Sequence, residues 1–173
     1  MADAIAKLVS RSEMRSYMNT GTTDAPTFTM IGEGFTSLSE AKNPKEYSRQ
    51  YVHERTERTD VVGYAPAISY SVDIYTNNPV IKKIRDVTDQ ELIGTNAQVE
   101  IVTVEHFGDS MVDEAALVAY KRTYAIIPDA KGDGTEALVY TGTFKAVGDI
   151  TKGKFNVKDG SMAFTPDTAA AKE

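Results

Sequence analysis

The chain has 173 residues, of which 41% are hydrophobic, so it is long enough to form one domain with a substantial core and too apolar to be disordered. It contains no cysteine, which excludes disulfides, thiol catalysis and zinc–thiolate sites. The formal net charge of −6 argues against a surface that grips nucleic acid, because phosphate binding needs clustered Lys and Arg. No signal-peptide-like run and no apolar stretch of about 20 residues is present, so we expect neither secretion by that route nor a membrane partner.

Residues 1–25 carry weak signals and are interpreted as an N-terminal arm that orders on a partner or packs over one edge of a sheet. Three apolar residues suit the start of a short amphipathic helix, which residues 20–23 would interrupt: Ile5, Leu8 and Val9. The first strand is predicted at residues 28–36, where Gly32 and Gly34 weaken it or mark a bulge.

Residues 37–63 form an extended segment that is dense in charge yet neutral, with five basic and five acidic side chains. A loop of this length in a compact domain is usually functional or disordered. One interpretation is a solvated, flexible excursion. The other is an extended hairpin or arm that orders against a neighbouring subunit through salt bridges and tyrosines. On the second interpretation the candidate inter-subunit contacts are Tyr47, Arg49, Tyr51, His53, Arg55, Arg58 and Tyr64.

Residues 65–107 predict a strand, a helix and a second strand. Apolar residues at every second position indicate a half-buried strand: Ile68, Tyr70, Val72 and Ile74. Asn78 before Pro79 suits an N-cap followed by proline in the first turn, so a helix is predicted at about residues 79–92. Its apolar stripe comprises Val80, Ile81, Ile84 and Val87. Gly94 lies where a left-handed C-terminal cap belongs, and the next strand contains Val99, Ile101, Val102 and Val104.

From Asp113 onward the pattern is typical of strands. Residues 117–127 are apolar on both faces and end at Pro128, although residues 113–119 would also suit a helix on propensity alone. Residues 131–134 predict a turn. A further strand is predicted from the alternation of Leu138, Tyr140, Phe144 and Ala146.

A last hairpin is predicted around Asp159 and Gly160, with strands at residues 154–158 and 161–165. Packed β layers with one helix on a face are the simplest architecture that buries the apolar stripes. The sequence therefore predicts a single, mainly β domain of sandwich or barrel-like type, with one flanking helix and extended arms. Its parts are the N-terminal arm, a β body at residues 26–165 that includes the charged segment, and a loose tail at residues 166–173.

Two patterns approach ligand-binding motifs and fail on their own residues. Residues 148–154 spell most of a phosphate-binding loop, but Phe155 stands where a Ser or Thr hydroxyl should reach Mg²⁺. A calcium loop is suggested by Asp129, Asp133, Gly134 and Glu136. Lys131 and Tyr140 stand at two positions where such a loop needs oxygen ligands, so a turn between strands explains these residues better.

Catalytic chemistry has little support in the sequence. His106 follows a carboxylate at a strand end and His53 lies in the charged segment, but no nucleophile elbow of the Gly-x-Ser-x-Gly type accompanies them. No spacing singles out a pair of carboxylates. We therefore expect no enzyme, no cofactor and no metal site.

Several motifs resemble the major tail (tail tube) proteins of long-tailed bacteriophages, particularly those of Gram-positive hosts. The first is Tyr-Ser-Arg-Gln-Tyr at 47–51, leading through Arg55 to Gly-Tyr at 63–64. The second is Ile-Ser-Tyr-Ser-Val at 68–72, followed by Asn-Asn-Pro-Val and the helix. The third, at 140–148, is similar to the C-terminal strand motif of such proteins.

The resemblance covers residues 28–165 and implies a structural virion protein with a β-sandwich and a flanking helix. Such proteins form hexameric rings that stack into a tail tube, the conduit for DNA ejection, and they are assembled in the host cytoplasm. The implied partners are further copies of the chain, a tape-measure protein, a tail terminator and distal tail or baseplate proteins, while DNA passes through the lumen without specific binding. An origin in a phage-derived bacteriocin particle is also open. The alternative functions are a non-catalytic binding or adhesion module of a larger assembly and, with least support, an enzyme.

Overall fold

A computed structural model describes residues 6–108, 113–133, 135–160 and 162–167. Within these residues, the one α-helix, α1, spans Pro79–Asp89, and short 3-10 helices lie at Arg11–Glu13, Gly94–Ala97 and Lys158–Gly160. The strands are β1 (Met14–Asn19), β2 (Phe28–Ile31), β3 (Phe35–Ala41), β4 (Pro44–Arg49), β5 (Arg58–Tyr64), β6 (Ala67–Asp73), β7 (Gln98–Glu105), β8 (Leu117–Asp133), β9 (Val139–Ala146), β10 (Thr151–Asn156) and β11 (Ala163–Pro166). The predicted class, mainly β with one helix, is confirmed.

The chain folds as two compact units. The first unit consists of Met1–Glu33, Val99–Thr123 and Gly148–Glu173. The second consists of Gly34–Gln98 and Tyr124–Val147.

The first unit is built on strands that hydrogen-bond in the order β2-β1-β7-β8-β10-β11. Phe155 on β10 is fully buried at the centre of its core. The Phe155 ring lies 4.8 Å from the ring of Tyr17 and 5.6 Å from that of Phe28, measured between centroids. Strands β7 and β8 complete this core with Val102, Val104, Leu117 and Ala119. Aromatic and aliphatic side chains from neighbouring strands therefore form this core together.

The second unit combines the antiparallel strand order β3-β6-β9-β8 with helix α1 and a separate two-stranded sheet, β4-β5. The alternation predicted for β6 is confirmed, because Ile68, Tyr70 and Val72 are all buried. Helix α1 buries its whole predicted stripe of Val80, Ile81, Ile84 and Val87. The Asn78 side chain accepts hydrogen bonds from the backbone N–H groups of the first helical turn, which confirms the predicted N-cap.

Strand β8 buries opposite faces along its length. Leu117 and Ala119 are buried at its start, whereas Tyr124 and Ile126 are buried further along. The parity of the buried positions therefore changes between residues 119 and 124, which explains why this stretch looks apolar on both faces in the sequence.

Helix and strand limits differ from the sequence predictions at several points. Helix α1 ends at Asp89 instead of residue 92, because Glu91 takes a left-handed φ of 52° three residues before Gly94 does. The strand predicted at 28–36 is two strands, β2 and β3, separated at the glycines.

Two local predictions were wrong, and one alternative is excluded. The residues after Val9 form a short 3-10 helix and strand β1 instead of an amphipathic helix; Ile5 lies outside the described residues. Strand β8 begins at Leu117, so the helical alternative for its front end is excluded. It also continues through Pro128 to Asp133, where a turn had been expected.

The C-terminal hairpin is confirmed, with β10 pairing antiparallel to β11 on either side of Asp159 and Gly160. The phosphate-loop-like stretch runs into strand β10, so no helix N-terminus follows it to receive a phosphate. In the segment considered for calcium, the side chain of Asp133 and residue Gly134 lie outside the described part of the chain, as do residues 168–173 of the predicted loose tail.

Candidate assembly interface

Most of the charged segment is an antiparallel hairpin formed by β4 and β5. Ser48 pairs with Thr59, and their hydroxyls lie 2.8 Å apart in a hydrogen bond. The register shifts by a bulge between Lys45 and Glu46, which gives the hairpin extra twist. The hairpin interpretation is confirmed, and contact with a neighbouring subunit remains a prediction.

The hairpin exposes large apolar side chains on strands that have no further strand to pair with. Val52 is 108% exposed, and Val62 and Tyr64 are 66% and 62% exposed. Tyr47, Tyr51 and Val61 are each about half exposed. A two-stranded hairpin is only marginally stable by itself in water. Several large apolar side chains exposed on such a marginal element make the hairpin a candidate protein contact surface.

A β-turn at Tyr51–Glu54, called the hairpin tip below, is fixed by contacts within the hairpin. The Glu54 N–H donates to the Tyr51 carbonyl at 2.9 Å, and the Gln50 side-chain amide donates to the Glu54 carbonyl at 3.0 Å. Arg58 forms a salt bridge with the Glu54 carboxylate. The rings of Tyr51 and His53 are stacked with centroids 6.2 Å apart. The tip is therefore pre-organised before any partner binds.

Asn43 and Ala65 lie at the base of the hairpin, called the neck below, and are joined by two hydrogen bonds. The Ala65 N–H donates to the Asn43 carbonyl at 3.1 Å, and the Asn43 side-chain amide donates back to the Ala65 carbonyl at 3.1 Å. Asn43 adopts a left-handed φ of 43°, which the short amide side chain tolerates. These bonds close the chain at the base of the hairpin.

The seven predicted contact residues all lie on this hairpin. Tyr47 and Arg49 share one face of β4, with the Arg49 guanidinium 5.9 Å from the centroid of the Tyr47 ring. Arg58 opens β5 opposite Arg49, and Tyr64 closes β5. Tyr51, His53 and Arg55 lie in the connection between the strands. Arg58 differs from the others because its charge is already paired within the hairpin.

Sequence reasoning missed the exposed valines. Val61 and Val62 look like ordinary strand residues, and only three-dimensional exposure reveals that they face solvent. Val52 carried a usable signal, because an isolated β-branched apolar residue stands in a turn between polar neighbours.

The structure also shows a cavity of about 460 Å³ beside the start of α1, called the α1 cavity below. Its apolar wall comprises Tyr75, Pro79 and Ile81, and its lining includes the cationic side chains of Lys82 and Arg85. Lys82 is paired with Asp86 at 2.5 Å. None of the described residues that line the cavity is acidic, so its electrostatic character is positive.

A hydrogen-bonded cluster ties the end of α1 to the neighbouring strands. The Asp89 carboxylate accepts hydrogen bonds from the Tyr140 hydroxyl at 3.0 Å and from the Lys131 ammonium at 2.8 Å. The bond from Lys131 lowers the pKa of Asp89, while burial acts in the opposite direction. Burial and the bond to Asp89 raise the pKa of Tyr140, and Asp89 raises the pKa of Lys131. All three shifts favour the protonation states that make these contacts at neutral pH.

The two histidines lie in different surroundings. His53 is at the hairpin tip, with Nε2 3.7 Å from the Glu54 carboxylate. His106 follows β7, and its backbone N–H donates to the Glu13 carbonyl at 2.7 Å. Burial, aided by the Arg15 charge, lowers the pKa of His106, so its imidazole is neutral at pH 7. In the described part of the chain, no set of three or more His, Asp or Glu side chains is placed to hold a metal ion.

Comparisons with known proteins agree with this description of the fold. No protein family and no curated protein matches the sequence. One similar chain belongs to the sixfold-symmetrised cryo-EM structure of the anti-feeding prophage baseplate, with a TM-score of 0.50 and 10% identity over 90% of this chain and 99% of that chain. Another belongs to the tail of an empty GTA particle computed with helical refinement and C6 symmetry, with a TM-score of 0.51 and 10% identity over 83% of this chain and 98% of that chain.

At this level of identity the comparison establishes a shared fold. Both similar chains are matched over nearly their whole length, so the likeness concerns complete chains and not an isolated motif. Among the described residues, α1 and the short helical turns fall well below the length and apolarity of a membrane-spanning helix.

Proposed function

We propose that this chain is a structural subunit of a phage tail or of a related phage-derived particle, and specifically a tail tube protein. In this proposal it self-assembles into hexameric rings that stack into a tube through which DNA leaves the capsid. Its partners are further copies of itself, a tape-measure protein, a tail terminator and distal tail or baseplate proteins. It resides in the virion tail after assembly in the host cytoplasm, and it has no enzymatic role.

The observation that carries the proposal is the exposed hairpin. Its pre-organised tip and its solvent-facing Val52, Val62 and Tyr64 bury little against the rest of the chain. A surface of this type is explained when the hairpin packs on another copy. The predicted contacts Tyr47 and Arg49 lie on β4 of the same hairpin.

Sheet edges give a second route for association. Strands β2 and β3 end the main strand order, so each has unpaired backbone groups along one side. β3 is seven residues long and mostly exposed. An open edge of this length pairs readily with another strand unless a protein protects it. In the proposed rings, the β2 edge of one copy pairs with the β3 edge of the next.

The shared fold supports the proposal at a coarser level. The two similar chains come from a sixfold baseplate and from a tail with C6 symmetry. The net charge of −6 is compatible with a tube wall that DNA passes without sticking, because like charges repel at long range.

Removal of the hairpin tests the function. Because Asn43 and Ala65 already close the neck, residues 44–64 can be replaced by a short Gly-Ser linker without breaking the body. We expect a protein that is folded by circular dichroism but forms no tubes by light scattering, whereas the wild-type chain forms tubes when concentrated. Equal assembly of both proteins would contradict the proposal. A wild-type monomer that binds a glycan or protein saturably would favour the adhesion-module alternative.

A further inference from the structure

The hairpin tip presents one apolar side chain as a protruding knob. Val52 occupies the first central position of the turn and is 108% exposed, so its side chain touches little of its own chain. Turn centres usually carry Gly, Pro, Asn, Asp or Ser, which makes a β-branched apolar residue there a poor choice for solubility. The stacked Tyr51 and His53 rings and the Arg58–Glu54 salt bridge hold the knob in one conformation. Pre-organisation of this kind lowers the entropic cost of docking.

The α1 cavity has the character of a matching hole. Its volume is about 460 Å³, and its wall of Tyr75, Pro79 and Ile81 is apolar. Gly34 packs closely behind this wall, because a Cβ there would approach Tyr75 Cδ2 at 3.0 Å and Ile81 Cδ1 at 3.1 Å. An apolar pocket with a few polar groups around it is the usual form of a site that receives an anchor side chain.

Charge complementarity links the two features. Arg85 lines the cavity and forms none of the salt bridges found in the described part of the chain. Glu57, just beyond the hairpin tip, is exposed and likewise forms no salt bridge among the described residues. A knob that enters the cavity brings the Glu57 carboxylate towards the Arg85 guanidinium, whose charge also acts on Asp89. Opposite charges around an apolar contact favour one orientation over others.

We propose that the hairpin tip of one copy docks in the α1 cavity of a second copy, with Val52 as the anchor and Glu57 facing Arg85. The inference rests on the proposed function and names the surface that receives the hairpin. Tip and cavity are different surfaces of one chain, so the contact is heterologous. Repeated heterologous contacts close into rings or extend into filaments, which are the two assemblies that a stacked tube requires.

Engineered disulfides test the contact directly, because the natural chain has no cysteine. The test variant is Val52→Cys with Thr76→Cys, since Thr76 lines the cavity. After concentration and mild oxidation we expect a ladder of two, three and more linked chains on a non-reducing gel. The matched control is Val52→Cys with Ile93→Cys, because Ile93 is 82% exposed and does not line the cavity. The control should give dimers at most.

The outcomes separate this inference from the proposed function. A ladder from the test pair alone supports the docking contact. Rings or tubes without a ladder, or equal ladders from both pairs, overturn the contact and leave the tail function standing. A wild-type chain that never assembles overturns both.

A charge swap provides a second measurement that needs no cysteine. Glu57→Arg and Arg85→Glu should each reduce the assembled fraction several-fold, because each places like charges together, and the double variant should restore it. Lys83→Glu is the matched control, since it makes the same charge change on α1 without lining the cavity. If the double variant assembles no better than either single variant, the proposed pairing is wrong.

Discussion

Tyr70 and Gly142 show how one small residue makes room for one large one. Tyr70 is 3% exposed, and its ring stacks on Phe144 with centroids 4.6 Å apart. Gly142 is its direct cross-strand partner on β9. A Cβ at Gly142 would collide with the Tyr70 hydroxyl and would lie 2.6 Å from the Ile127 carbonyl oxygen. Burial raises the pKa of Tyr70 to about 12, so the phenol remains neutral at any physiological pH.

Gly142→Ala should therefore destabilise the protein by about 1–3 kcal/mol, because added atoms force the packed ring and backbone apart. The melting temperature should fall by several degrees in circular dichroism. Gly148→Ala is the matched control, because a Cβ there meets no atom within 4 Å. The control should leave the melting temperature unchanged or slightly raised. Equal losses in both variants would show that the Tyr70 contact is not the cause.

Side chains fix both ends of helix α1, but only those at its start can be recognised from the local sequence. Asn78 and Pro79 predict its start, and the structure confirms this prediction. Its other end depends on Asp89, whose partners Tyr140 and Lys131 are 51 and 42 residues away in the sequence. Local pattern therefore predicts the beginning of the helix, whereas its attachment to β9 depends on tertiary contacts.

Asp89→Asn should lower the free energy of unfolding by about 1 kcal/mol at pH 7, since the carboxylate is partly exposed and its pairing is screened by water. The lowered pKa of Asp89 makes this contribution pH-dependent. It is fully present above the unfolded pKa of about 3.9 and is lost as pH falls through the lower folded value. Thermal unfolding should therefore show a constant gap between wild type and variant from pH 6 to 8, and a shrinking gap below about pH 4.

Asp86→Asn is the control for this prediction, because Asp86 pairs only with Lys82 on the same helix. Such an exposed i,i+4 pair is worth only about 0.3–0.5 kcal/mol. A variant at Asp86 that costs as much as the one at Asp89 would contradict a special role for the Asp89 cluster.

A separate prediction concerns two arginines of the hairpin, Arg49 and Arg55. Arg49→Glu with Arg55→Glu should leave the hairpin tip intact, because Arg58 alone among these arginines pairs with Glu54. We expect the variant to fold normally. Its assembled fraction, measured by sedimentation, should fall at least several-fold. Lys152→Glu with Lys158→Glu, the same charge change at exposed positions outside the hairpin, should assemble normally. Normal assembly of the arginine variant would exclude Arg49 and Arg55 from the interface.

Strict periodicity made β6, β9 and α1 predictable from the sequence. Strand β1 was not predicted, because it buries polar side chains that form hydrogen bonds with specific partners. Asn19 is 8% exposed, and its carbonyl oxygen accepts hydrogen bonds from the Gly21 and Thr27 N–H groups at 3.0 Å each. Its amide donates to Glu100 at 3.1 Å. Hydrogen bonds to residues far away in the sequence cannot be predicted from a local pattern.

Pro128 does not end strand β8, contrary to the sequence prediction. A proline usually ends a strand, yet β8 continues because the register with β9 shifts between Pro128 and Ala130, where an irregular pairing tolerates the missing N–H. For the candidate site, residues 37–63 suggested a hairpin but left a flexible loop as an open alternative, and the pairing of β4 with β5 decides between them. The α1 cavity was not predictable, because the packing of Tyr75 and Ile81 that shapes it exists only in the folded chain.

The whole molecule carries a formal charge of −6, while its hairpin is neutral. We therefore expect no measurable retention of double-stranded DNA in an electrophoretic mobility assay, even at about 50 mM salt where phosphate contacts are strongest. A protein with clustered basic contacts would bind under these conditions and lose affinity steeply with added salt. Binding with such a salt dependence would contradict a wall that lets DNA pass.

The central claim is that copies of this chain build a tube. The most direct measurement is negative-stain electron microscopy of the purified, concentrated wild-type protein, with light scattering on the same sample. We predict hollow tubes or stacked rings of uniform diameter, with six copies of the 18.9 kDa chain in each ring. Particles of one chain at every concentration, or assemblies with neither a lumen nor sixfold end views, would contradict the account.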